Sequence, residues 1–258
     1  PLREDLRELL RSPRELWLLY LATFFEWLGI FSFLPTLPLW LTGDFGMGDE
    51  RAGWWAATFS TVLTVLVFVA GSLGDALGVR TTLLAAFALA AVTRLGMALA
   101  GEPSAAIAWL LAFALAYATI SPVLQAAIGR TSTPRTRAFA FTCWYVSFNL
   151  AGTLSGPLVI DRVRRAFLDP ATGRLARRTV ALPLLGERVL SAHGAIMALG
   201  FAFALAGLAV TLLLRRGFED RAPEGEAAPA PRRRNPLAAL AEVAGDRTFW
   251  RFVLLMVF

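Results

Sequence analysis

The sequence predicts an all-α membrane protein: a six-transmembrane-helix bundle, followed by a polar linker and the start of a seventh helix. Three observations predict it. The chain is 57% hydrophobic with a mean hydropathy of +0.59, too apolar for an ordinary soluble domain. Its apolar residues gather into six runs of roughly 20, the length needed to cross a hydrocarbon core about 30 Å thick. The runs are rich in Leu, Ala, Gly and Phe and far longer than the roughly 10 alternating residues of a membrane strand, so the spans are helices.

In order, the predicted spans are residues 16–41, 52–71, 81–100, 105–128, 138–160 and 189–214, and a further apolar run begins at Phe249. Residues 1–15, charged and amphipathic, form an N-terminal cytoplasmic segment, and residues 16–214 form the transmembrane domain. The apolar run behind that segment is a full span rather than the 7–15-residue h-region of a signal peptide. Residues 215–248 read as a cytoplasmic linker. Their stretch "RRGFEDRAPEGEAAPAPRRRNP" is too rich in Pro, Ala and charge to build a core, and "LAALAEVAGDR" adds a short amphipathic helix. Residues 249–258 then start a seventh helix that the chain cuts short. The layout is that of one half of a larger protein whose C-terminal six-helix half lies outside this chain.

All 25 basic residues are arginine. With a cytoplasmic N-terminus, sixteen lie on the inside and eight on the outside, while Arg94 sits within a span. That bias predicts a multi-pass protein of the cell inner (plasma) membrane with its N-terminus inside. The connection between spans 5 and 6 runs against it, because seven of the eight outer arginines lie in residues 161–188. The basic residues flank spans, so the partner they imply is the lipid bilayer and not nucleic acid. Cys143 and His193 are each the only residue of their kind, which excludes a disulfide framework and leaves no set of metal ligands. No cofactor or metal is expected. Ser155 and His193 are a formal dyad for an intramembrane protease, but no Gly-x-Ser-Gly surrounds Ser155 and no oxyanion donors are evident, so no enzyme is expected.

The gap "GSLGDALGVR" at residues 71–80 interrupts this apolar chain with three glycines, an aspartate and an arginine. Gly71 and Gly74 allow helix backbones to approach closely, and Gly78 suits the positive φ of a tight turn. Asp75 stands at a helix end, where it can accept amide hydrogen bonds or pair with an arginine and so latch one conformation. The alternative is a solvated hairpin loop.

This loop resembles the signature of the major facilitator superfamily, Gly-x-Leu-x-Asp-(Arg/Lys)-x-Gly-(Arg/Lys)-(Arg/Lys), through Gly71, Leu73, Asp75, Gly78 and Arg80. Ala76 and Val79 stand where basic residues are usual. The resemblance implies the N-terminal half of the major facilitator fold, three-span inverted repeats within it, and alternating access by rocking of two six-span halves. "CWYVSFNLAGTLSGP" is similar to the Phe-Tyr-x-x-Ile-Asn stretch of proton-dependent oligopeptide transporters through Trp144, Tyr145, Phe148 and Asn149. Its Gly152, Gly156 and Pro157 also resemble a span-5 pattern of drug/proton antiporters. "TFFEWLGIF" keeps only Glu26 of the oligopeptide transporters' Glu-x-x-Glu-Arg-Phe-x-Tyr-Tyr, and Ser121 stands where they carry a lysine. A secondary transporter of a small solute is thus implied, with peptides a poor substrate. Drug or metabolite efflux by antiport is the alternative within transport, and a non-transporting scaffold or receptor the alternative outside it.

The site candidates follow from the cost of burying polar groups in lipid. Glu26 lies about ten residues into span 1, roughly 15 Å deep at 1.5 Å per residue. A charge there needs a partner, a wet cavity or a proton, which makes Glu26 the candidate for proton coupling. A partner in Arg94 would instead make the carboxylate structural. Arg94 is also a candidate for the substrate cavity, with snorkelling to the outer interface as the plainer alternative. Tyr117, Tyr145 and Asn149 are the polar cavity candidates, against a role in interhelical bonding. Phe24, Trp27 and Phe31 share a helix face and line either an aromatic cavity or the lipid boundary. Gly152, Gly156 and Pro157 are expected to serve close helix packing.

Overall fold

The computed structural model describes residues 12–182 and 186–218, with Gly245 and Arg251 besides; within that range the side chains of residues 68, 69, 71–73 and 75 are not described. The N-terminal segment up to residue 11, nearly all of the linker and the seventh helix lie outside the described residues.

The first helix, α1 (Arg14–Phe33), gives way at Pro35 to a 3-10 turn (Leu34–Thr36) and resumes as α2 (Leu37–Phe45), with Pro38 in its first turn. Proline lacks the N–H that an α-helix interior needs, which explains the break. Gly46 ends α2 in the left-handed conformation at φ 64°. Helix α3 (Asp49–Leu77) meets α4 (Val79–Leu99) with only Gly78 between them, at φ 81°. The turn expected in the 71–80 gap is thus a single residue.

Helix α5 (Pro103–Thr131) is followed by α6 (Arg137–Leu154). The latter runs on through a π-helical segment, Ser155–Ile160, into α7 (Asp161–Phe167). Pro157 falls in that segment, and the Asp161 N–H reaches back five residues to the Gly156 carbonyl. An antiparallel hairpin of β1 (Arg178–Leu182) and β2 (Gly186–Leu190) then precedes α8 (Ala192–Leu212). Residues 189 and 190, expected in the sixth span, belong to this hairpin. The helix starts where Ser191 caps it, its hydroxyl accepting the Gly194 N–H at 2.9 Å. A purely α class therefore misses one small ribbon.

Among the described residues, four helical stretches are long and apolar enough to cross a membrane: Arg14–Phe45, Val79–Leu99, Pro103–Thr131 and Ala192–Leu212. The packing pairs α1 with α6 and α8, and α5 with α3 and α4, while α4 and α8 face each other. Exchanging α1 with α5, α3 with α6 and α4 with α8 leaves this pattern unchanged, as two repeats of three helices require. The centre is apolar and aromatic. Phe33, Phe59 and Phe113 are buried, with Phe113 5.6 Å from Phe33 and 6.2 Å from Phe59.

Candidate functional site

Glu26, in the middle of α1, is fully buried, and Arg94 on α4 is 1% exposed. Arg94 Nη2 stands 3.4 Å from Glu26 Oε1. Its Nη1 donates to the Gly200 carbonyl of α8 at 3.2 Å, and its guanidinium carbon lies 4.8 Å from the centre of the Phe113 ring on α5. Four helices meet at one arginine. Two glycines leave the room for it: a Cβ on Gly29 would stand 2.9 Å from Arg94 Nη1, and one on Gly200 3.1 Å from Arg94 Cδ. Glu26 Oε2 has no hydrogen-bond partner among the described residues.

Arg94 therefore does not snorkel. An anion, a carbonyl and a ring face inside the bundle supply what the interface would otherwise supply. The sequence reading missed Gly29, Gly200 and Phe113. One signal was available, because Gly29 follows Glu26 by three residues and so shares its face of the helix.

A second group gathers where α1, α5 and α6 adjoin. Phe148 packs between Trp27 and Phe31 at 4.5 and 5.0 Å between ring centres. Tyr117 stands edge-on to Trp27 at 5.9 Å, and Tyr145 stacks on Phe148 at 5.7 Å. Trp27, Phe31 and Phe148 are half-buried, Tyr117 is buried and Tyr145 is 58% exposed. Phe24 packs with Trp27 against the small cluster of Leu28, Ala151 and Val159, and its ring partner is Phe25 at 5.7 Å. Asn149 is exposed and turns back on its own helix, donating to the Tyr145 carbonyl at 2.7 Å. Gly152 lets α6 close on α1, since a Cβ there would stand 3.2 Å from Phe31, whereas Gly156 has open space around it.

A third group joins α2 to the start of α8. The Ser191 hydroxyl donates to Asp44 Oδ2, and His193 Nδ1 lies 3.3 Å from Asp44 Oδ1. These three residues line a small cavity with Gly43, Leu175, Ala176, Arg177 and Ala192. Ser155 bonds to the Gly152 carbonyl at 2.8 Å, so Ser155 and His193 have separate partners and form no dyad.

A family model describing the Major Facilitator Superfamily matches residues 19–258. The chain belongs to the Major Facilitator Superfamily. It is a chain of a transporter family, not an enzyme. Among curated proteins, none matches the chain by sequence. Solved structures share its fold. A peptide transporter of the POT family in complex with sulfate aligns at a TM-score of 0.62 and 16% identity, over 95% of this chain and 45% of that one. A bacterial homologue of the human drug peptide transporters PepT1 and PepT2 gives 0.60 and 16%, over 89% and 47%. The human organic anion transporter MFSD10 gives 0.52 and 19%, over 78% and 47%. The chain thus spans just under half the length of these structures.

Within this superfamily chain the signature loop is only partly described. Gly78 makes the turn, and Gly74 touches α5, where a Cβ would stand 3.2 Å from Val123. Arg80 reaches across to α8, donating from Nε to the Leu214 carbonyl at 2.8 Å and from Nη2 to the Leu212 carbonyl at 3.2 Å. It satisfies carbonyls at the end of that helix. Gly71 and Asp75, the other two latch candidates, stand in the last turns of α3, and the Asp75 side chain is not described.

Proposed function

We propose that this chain is the N-terminal six-span half of a secondary active transporter that moves a small solute by alternating access, with Glu26 carrying a coupled proton. On this reading α3 and the α6–α7 helix are spans 2 and 5, the N-terminus is cytoplasmic and the protein sits in the inner membrane. The C-terminal half comes from a longer protein, which the length of the solved structures supports. The observation that carries the proton assignment is the asymmetry of Glu26, with one oxygen on Arg94 and the other unpartnered inside the bundle. A proton on that free oxygen discharges the group that holds Arg94, and so loosens the tie between α1 and the Arg94 of α4. Charge in such surroundings is held by partners or removed by protonation.

The aromatic group around Phe148 is the proposed solute-facing surface, with Tyr117, Tyr145 and Asn149 as its polar contacts. It favours a planar or apolar solute over a peptide and supports drug or metabolite efflux by antiport as the second reading. Asp75 and Arg80 are the proposed latch between conformations. The test is proton flux into proteoliposomes of the full-length protein, read by an internal pH dye under an imposed gradient. Glu26→Gln is expected to abolish flux in folded protein. Equal flux in both forms makes Glu26 structural, and no flux in either points to a scaffold.

A further inference from the structure

The connection between α6 and α8 carries charge that the bundle does not use. Residues 161–190 contain seven arginines against Asp161, Asp169 and Glu187, a net charge of +4. Arg162, Arg164, Arg165, Arg174, Arg177 and Arg188 are all exposed, and none makes an ion pair among the described residues. Asp169 is already counted in that balance, and its own loop holds both of its oxygens. Its Oδ1 accepts the Ala171 N–H at 3.0 Å and its Oδ2 the Thr172 hydroxyl at 2.8 Å. The Ala171 amide, and then the Thr172 hydroxyl, hold its carboxyl below the usual carboxylate range.

The segment is a folded arm. Leu168 bridges to Leu175, the Ala176 N–H donates to the Phe167 carbonyl at 2.9 Å, and Arg178 Nη2 reaches the Leu168 carbonyl at 3.2 Å. Val163, Phe167, Leu182 and Leu190 are buried and anchor it. Cross-strand register sets Arg188 opposite Val180 and Arg178 opposite Leu190, so both arginines share one ribbon face. The two are diagonal neighbours on that face.

Position identifies what would neutralise them. Helix α7 continues the α6 helix without a gap, so Arg162, Arg164 and Arg165 stand within about 8 Å of Ile160 along the axis. The headgroup region is about 5–8 Å deep on each side of the hydrocarbon core, which puts these three at headgroup level. Leu168 and Leu175 are exposed between the arginines at 43 and 42%, and Leu158 and Val189 flank them at 43 and 63%. Exposed apolar side chains among cations match the boundary between acyl chains and anionic headgroups. Guanidinium forks suit the phosphate oxygens found there.

We propose that this arm is a docking surface for anionic lipid headgroups, which tie the α6–α8 connection to one leaflet. The proposal rests on reading the α6–α7 helix as a membrane span, and its readout is lipid binding rather than transport. The experiment titrates the full-length protein, purified in neutral detergent, with short-chain phosphatidylglycerol, phosphatidylcholine or inorganic phosphate. It follows the thermal midpoint and counts bound lipid by native mass spectrometry.

Phosphatidylglycerol alone is expected to raise the midpoint, with half-saturation moved about tenfold or more to weaker binding in Arg162→Gln/Arg164→Gln/Arg165→Gln. Arg174→Gln/Arg177→Gln/Arg188→Gln serves as a second variant should the first not fold, and Arg216→Gln, outside the arm, is expected to leave binding unchanged. Equal stabilisation of wild type and arm variants by phosphatidylglycerol overturns the proposal. So does equal stabilisation by phosphatidylcholine, competition by inorganic phosphate at matched concentration, or no stabilisation at all. Lipid binding that survives in a protein without proton flux would leave this proposal standing while the transport reading falls.

Discussion

Arg94 and the arginines of the 161–190 arm are the same side chain in opposite settings. Arg94 is enclosed, and its environment is specified on every side: Glu26, the Gly200 carbonyl, the Phe113 ring and the two glycines that make room. The arm's arginines have little around them, and several crowd together within one or two helical turns or on one ribbon face. A buried charge without partners costs far more than the interaction returns, so it persists only where its partners are built in. An exposed charge is solvated whatever its neighbours, so its placement is free to answer to something outside the protein. The contrast predicts large, specific effects at Arg94 and small ones on stability along the arm.

Replacing Arg94 breaks the buried side of that contrast most directly. Arg94→Met leaves the Glu26 carboxylate buried without its cation and is expected to destabilise the bundle by about 3–5 kcal/mol. The thermal midpoint of purified protein and its monodisperse yield read this out. Arg94→Met combined with Glu26→Gln should recover a substantial part of the loss, because the stranded charge is gone. If the double variant is no better than Arg94→Met alone, the cost comes from lost packing and not from the pair.

Filling the space around Arg94 should be the next most damaging change. At position 200 a Cβ alone would already stand 3.1 Å from Arg94 Cδ, and Gly200→Val adds two methyl groups to it. Overpacking of this kind costs about 1–3 kcal/mol. Gly156→Ala is the control. A Cβ there meets nothing within 4 Å, so Gly156→Ala should leave stability unchanged or raise it by up to about 1 kcal/mol through helix propensity. Equal shifts in the two variants would mean that general helix packing, and not room for the guanidinium, sets the need for glycine at 200.

These neighbourhoods were legible in the sequence to unequal degrees. The long apolar runs made the helices readable, and the tight turn at Gly78 followed from the loop's glycines. Glu26 announced itself by depth. Its partner was open, because 68 residues separate it from Arg94 and only the packing of both α1 and α4 against α8 brings them together. The Gly200 carbonyl carries no side-chain signal at all. The hairpin at 178–190 was hidden by the apolar residues at 180–184 and 189–190, which read equally as loop or as the start of a span. The Asp44, Ser191 and His193 group was missed for the same reason as the Arg94 pair: its members come from distant helix ends. Of the aromatic face, Trp27 and Phe31 were readable from helical spacing, while Phe148 became central only once α6 was laid against α1.

Arg80 lies between the two settings and supplies the smallest effect. It is half-buried and holds no carboxylate among the described residues; its partners are the Leu212 and Leu214 carbonyls at the end of α8. A cation there gains from the helix dipole as well as from the hydrogen bonds, together about 1 kcal/mol. Arg80→Ala should therefore lower the thermal midpoint measurably but by much less than Arg94→Met. Arg80→Lys should recover only part of it, since an ammonium does not reproduce a planar fork spanning two carbonyls. Amide exchange over residues 208–214 gives the local check, because loss of the cap frees that end of α8 before it affects the bundle. An unchanged exchange pattern in Arg80→Ala would mean that the last turn of α8 is held by its packing on α4 and not by the arginine.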